Sequence, residues 1–113
     1  VEQAWPNVFR AARLVPAVEY LRAQRVRRQL MLAMHDALAD VDVLVHPAGD
    51  FTTLAITNLT GHPTAVAPCG FREDGTPFSI GFTGQLYDDA RLMALAEAWQ
   101  RSTEPHLRRP TLR

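Results

Sequence analysis

The most constraining stretch of this chain is a matched pair of apolar segments around one tight turn. Residues Thr64–Phe71 and Pro77–Gly84 flank Arg72-Glu73-Asp74-Gly75-Thr76. Asp-Gly between two apolar runs is a strong hairpin signal. In the second run Phe78, Ile80 and Phe82 alternate with Ser79, Gly81 and Thr83. That period of two turns one face to a core and one away from it. Pro68 cannot donate to a strand ladder, so it marks an edge or a bulge. Gly81 suits a place where another backbone or a side chain comes close.

Helices surround this pair. Pro16 fits a helix start, where its missing N–H is no loss, and the helix is expected to run to about Asp40. Val26, Leu30, Met34 and Leu38 recur every four residues with Met31 beside them, predicting one buried stripe. Arg22, Arg25 and Arg28 form a wet face. Val41-Asp42-Val43-Leu44-Val45 reads as a strand buried on both faces, stopped by His46-Pro47-Ala48-Gly49-Asp50. Residues 52–60 are ambiguous. Gly61 followed by Pro63 resembles a helix C-terminus, which favours a short helix there. Asp88 and Asp89 open a last helix as N-cap and first-turn acid, with Leu92, Leu95, Ala96 and Trp99 on its buried face. Residues 1–13 read as a lead-in with room for a short helical turn, and 104–113, with Arg108-Arg109-Pro110, as an exposed tail. The whole is one domain over 1–113. Its order is α-β-α-β-β-α: an α/β chain, α+β if isolated, with helices packed on a small mixed sheet.

Composition removes several chemistries. All twelve basic residues are Arg, so the chain supplies no Schiff-base, Walker or general-base lysine. Twelve acids balance them, so no global field draws in nucleic acid or an anionic membrane. Cys69 is the single cysteine, so no intrachain disulfide forms and a cytoplasmic setting is expected. No apolar run approaches the roughly 18 residues that cross a bilayer. No basic-then-apolar leader stands at the start. The chain begins at Val1 rather than Met, which fits a processed chain or a piece of a longer one.

The candidate reactive groups each have a plainer explanation. His35, His46, His62 and Cys69 are the soft metal ligands, but none has metal-site spacing; no metal and no cofactor is expected. A Cys69–His62 nucleophile pair would need an electropositive pocket, which nothing local supplies, so a small buried Cys is the simpler account. Ser79 has no nearby base and reads as a structural strand serine. The arginines between Arg22 and Arg28 could meet phosphates or an acidic partner, but lack interleaved aromatics and read as a solvated face. Asn58-Leu59-Thr60 matches a glycosylation sequon and is discounted without a secretory leader.

Several pieces nevertheless line up in order: Arg13-Leu14-Val15-Pro16-Ala17-Val18-Glu19-Tyr20, Ala23-Gln24-Arg25, Asp42-Val43-Leu44-Val45-His46-Pro47, Asn58-Leu59-Thr60-Gly61-His62-Pro63, Pro68-Cys69-Gly70-Phe71 and Asp74-Gly75-Thr76-Pro77. The series resembles the C-terminal segment of the amidase-signature hydrolases, from about Arg10 to Pro110. The resemblance implies part of an α/β/α sandwich around a large mixed sheet. It also implies amide hydrolysis through a serine acyl-enzyme, with a second serine and a lysine, all upstream of the matched segment. No catalytic residue carries over, since this chain has no Lys and Ser79 and Ser102 match nothing catalytic. The family's C-terminal segment walls part of the acyl pocket. The positions implied here are His46, Pro47, Asp50, Phe51, Asn58 and Thr60. Asn58 and Gly61 could equally serve only to end a helix. His46-Pro47 stands where the family often has Thr-Pro, and the link from Pro47 to Asn58 is short.

Two functions are therefore expected in competition. One is the non-catalytic part of an amidase-like hydrolase, whose partner is the remaining catalytic part, in the same or a separate chain. The other is a free-standing or split-subunit module that self-associates into a homo-oligomer or binds a partner. A third, an unrelated small α+β ligand-binding domain, would resemble the family by chance.

Overall fold

A computed structural model of the protein describes residues 5–109. Its sheet is built on the expected hairpin. β2 (Thr64–Phe71) and β3 (Pro77–Gly84) pair antiparallel, and β1 (Val43–Pro47) joins on the other side of β3, giving the order β1-β3-β2. α1 (Trp5–Ala12) and α2 (Ala17–Ala37) precede the sheet. α3 (Phe51–Thr60) links β1 to β2, and α4 (Asp89–Thr103) follows β3, ending in a 3-10 turn at Pro105–Leu107. The predicted order is present, and the helical turn considered for the lead-in is the two-turn helix α1. The sheet itself is antiparallel in both pairings rather than mixed.

β3 is the central strand, and Gly81, Phe82, Thr83 and Gly84 are all buried. Its alternation divides the sheet as predicted. Phe82 packs with Ala67, Leu92 and Ala96 in the core, with Val43, Ala65, Ile80 and Trp99 against them. Trp99 meets Phe82 edge-on at 5.8 Å and donates its Nε1–H to the Pro68 carbonyl at 3.1 Å. β2 bulges between Pro68 and Gly70, on the open edge, where a missing N–H costs no ladder bond. Asp74 accepts from the Thr76 amide and hydroxyl, closing the turn with Gly75 at φ 82°.

Several expectations change. β1 is not buried on both faces: it is the other edge strand, with Val45 54% exposed. Of the predicted stop, His46 and Pro47 belong to the strand, paired with Gly81 and Ile80, and the strand ends before Ala48. α4 crosses β2 and β3 and leaves the β1 end open, so an apolar run is exposed by its position in the sheet. Helix α2 ends at Ala37, and its stripe is covered only from Leu30 onward; Val26 is exposed. Arg27, expected on a solvated face, donates from Nε to the Leu59 carbonyl at 2.6 Å and ties α2 to α3. Asp88 does not cap α4 with its side chain but pairs with Arg91. Leu95 is exposed, and Cys69 is half-buried rather than buried. In the tail Pro105 is buried and Arg108 lies over the Phe71 ring. The expectations for residues 1–4 and for Pro110 onward lie outside the described residues.

The chain is open in shape. Its radius of gyration is 18.0 Å, where a compact chain of this length gives about 13 Å. Its accessible surface is 9189 Å², where a compact monomer of this mass exposes about 6,200 Å².

Candidate functional site

Three polar side chains form a row across all three strands, on the sheet face opposite the core. Thr64 on β2 meets Thr83 on β3 at 2.8 Å between hydroxyls, and Thr83 meets His46 Nε2 on β1 at 3.0 Å. His46 Nδ1 lies 3.1 Å from the Pro47 carbonyl. A carbonyl only accepts, so Nδ1 carries the hydrogen and Nε2 accepts from the Thr83 hydroxyl. Thr64 then donates to Thr83. The imidazole lies flat on the backbone at Gly81, where a Cβ would stand 2.8 Å from each ring nitrogen. Gly81 therefore occupies the close-approach position that the sequence suggested, and the approaching group is His46.

His46 separates two concavities. One, of about 410 Å³, is lined by Val45, His46, Pro47, Cys69, Phe78 and Ile80, with Ser79 at its wall. It is the part of the sheet that α4 does not cover. The other, of about 70 Å³, lies between the sheet and α3 and is lined by His46, Asp50, Thr53, Thr57, Thr64 and Val66, among others. Asp50 caps α3: it accepts from the Thr52 amide at 3.4 Å and from the Thr53 amide at 2.9 Å, and the Thr53 hydroxyl also donates to it. The Thr53 hydrogen bonds, then that from Thr52, hold its carboxyl below the ordinary 3.8, with the nearby His46 adding to the effect.

Of the six residues implied as a pocket wall, His46, Pro47 and Asp50 gather around these concavities. Phe51 stands 79% exposed on the outer side of α3, and Asn58 is exposed. Thr60 is buried and donates to the Ile56 carbonyl at 2.9 Å, so its oxygen accepts from His62 Nδ1 at 2.8 Å. Burial, then the nearby His35, hold the His62 imidazole below the ordinary 6.5. Gly61 ends α3 at φ 86°, as its place before Pro63 predicted.

Chemically the row positions rather than reacts. Thr83 has no exposed surface, and both His46 nitrogens are engaged. Both Asp50 oxygens are spent on the cap. Among the described residues no group of three His, Cys, Asp or Glu side chains could hold a metal, and no helix is long and apolar enough to cross a membrane. The sequence reading missed Thr64 and Thr83. The alternation that placed Thr83 opposite Phe82 was the available signal, but the partner strands and their register were not. It also assigned Asp50 to a pocket without noticing Asp50-Phe51-Thr52-Thr53 as an N-cap sequence.

No family model matches the chain. Individual proteins do. A glutamyl-tRNA(Gln) amidotransferase subunit from Cupriavidus necator is 35% identical over 111 residues, taking in 80% of this chain and 22% of that protein. Its counterparts from Chloroflexus aggregans and Synechococcus elongatus are 34% and 33% identical over 113 residues, each taking in 82% of this chain and 23% of theirs. The chain is homologous to the C-terminal segment of these amidase-signature proteins.

The chain spans less than a quarter of the length of the relatives it matches.

Proposed function

We propose that this chain is the non-catalytic C-terminal portion of an amidase-like amide hydrolase, completing the sheet and part of the acyl pocket of a larger body. The observation that carries this is the openness of the fold combined with the homology. The chain exposes about 3,000 Å² more than a compact monomer of its mass. Among the described residues both sheet edges are free, and the relatives that share the segment are more than four times as long. Surface of that extent and apolar character is stable when covered.

In this role β1 and β2 offer backbone ladders for further strands, and the concavity at Val45, Pro47, Phe78 and Ile80 faces the acyl group. His46, Pro47 and Asp50 are the wall residues, with Phe51, Asn58 and Thr60 carried by the same helix, α3. The reacting serines and the lysine come from the rest of the body, in the same polypeptide or another, because this chain has no Lys. The chain by itself is inactive on amides, needs no cofactor and acts in the cytoplasm. The named relatives are amidotransferases of glutamyl-tRNA(Gln); the substrate class here is an amide, with its acyl and amine parts open.

Top-down mass spectrometry of the native polypeptide in its source cells tests this. A mass several times 12.6 kDa, or a co-purifying chain with Ser and Lys in a Gly/Ser-rich segment, is the expected result. A native 12.6 kDa chain with no such companion overturns it.

A further inference from the structure

Strand register gives the concavity of about 410 Å³ its character. Phe78 and Ile80 share the Phe82 face of β3, and pairing sets Val45 opposite Phe82 and Pro47 opposite Ile80. All four therefore stand on the core face of the sheet, in the part that α4 leaves uncovered. The β2 bulge brings the half-buried Cys69 to the same wall, where it acts as a small apolar group. Gly70 completes the wall by what it lacks. A Cβ there would stand 3.3 Å from the Phe78 ring, so the ring rests against the bulge.

Among the described residues no acid or arginine lines this concavity. Ser79 and His46 reach its wall but belong to the opposite face by alternation. Both His46 nitrogens are engaged, one with Thr83 and one with the Pro47 carbonyl. Asp50, the acid among the implied wall residues, spends both oxygens on the α3 cap. The volume falls within the roughly 300–1,000 Å³ of small-molecule sites, which are mostly apolar with few polar groups.

Given the acyl-pocket role proposed above, on which this assignment rests, the chemistry of the wall selects the acyl group. We infer that the group seated here is uncharged and apolar, an alkyl chain of several carbons or a phenyl ring. Val45 and Phe78, both exposed at the mouth, are its specificity-determining contacts. A charged acyl group would lose its water and find no partner on this wall. An apolar one gains with every methylene it buries, by about fourfold in binding.

Ammonia release by the native polypeptide, or by its complex with the catalytic chain, tests this on acetamide, propanamide, pentanamide and glutamine. Pentanamide is the glutamine acyl chain without its ammonium and carboxylate, so that pair isolates charge. The expected kcat/KM rises by about fourfold per methylene from acetamide to pentanamide and is far lower for glutamine than for pentanamide. Val45→Thr, near in shape, and Phe78→Ala should each lower the pentanamide-to-acetamide ratio severalfold. Loss of folded protein would scale both substrates alike and leave that ratio unchanged. A flat series, no turnover of pentanamide, or glutamine at or above pentanamide overturns the apolar assignment and leaves the amidase reading in place. Ratios unchanged in both variants overturn it too, since another wall then selects the acyl group. The amidase reading fails by a different result, a native 12.6 kDa chain with no catalytic companion.

Discussion

The imidazole of His46 rests directly on the backbone of Gly81, one strand over, leaving no room for a Cβ there. This contact holds the ring so that Nε2 reaches the Thr83 hydroxyl at 3.0 Å. Gly81→Ala is expected to push the ring away and to destabilise the chain by about 1–3 kcal/mol, the usual range for overpacking. Because the steric partner is a side chain, adding His46→Ala should recover much of that loss. A four-member urea-denaturation cycle measures the coupling. Equal, additive losses in both backgrounds would contradict it.

Thr83 is the middle of the polar row and has no exposed surface. Thr83→Val keeps the shape but leaves His46 Nε2 and the Thr64 hydroxyl without their partner. A loss of about 1–3 kcal/mol is expected from the groups left unsatisfied. Thr83→Ser keeps the hydroxyl and should cost less. Chemical denaturation of the two variants decides whether the hydroxyl or the methyl matters more.

His62 gives the fold an acid-side weakness. Its pKa is held below 6.5 in the folded state, chiefly by burial. As pH falls below 6.5 the unfolded chain takes up this proton first, so stability declines until the folded value is reached and then levels. His62→Gln should flatten the dependence in that window. Thermal melts followed by Trp fluorescence, stepped from about pH 7.5 down to about pH 5 so as to bracket the ordinary imidazole range, would show it.

Asp50 and Asp74 act at lower pH. Hydrogen bonds, first from Thr53 and Thr76 side chains, hold both carboxyls below 3.8. Their contribution is full above 3.8 and is lost as pH falls through the folded values. Asp50→Ala removes the α3 cap at any pH. Amide exchange at Thr52 and Thr53 should quicken in that variant, while the Asp74 turn keeps its protection. Unchanged exchange at both amides would show that the cap does not hold this helix end.

Much of the architecture is local and was legible in the residues. The Asp74-Gly75 turn, the β2 and β3 boundaries, the Gly61 helix stop and the division of Phe82 from Thr83 all follow from backbone preference and a period of two. These signals lie within a few residues of their effect, so the sequence carries them whole. The resemblance that the ordered motifs suggested is matched by the homology to the glutamyl-tRNA(Gln) amidotransferases.

What the sequence left open depends on which element lies beside which. Val43-Leu44-Val45 is as apolar as a buried strand, yet it forms an edge because β3 takes the centre and α4 covers the other half. Arg27 looks like its neighbours Arg25 and Arg28, yet it alone reaches the Leu59 carbonyl, 32 residues away. His46, Thr83 and Thr64 are separated by up to 37 positions and become one row only through strand register. Composition and periodicity determined the elements. Tertiary packing decided their neighbours, because contacts between distant residues are set by how the faces of those elements meet.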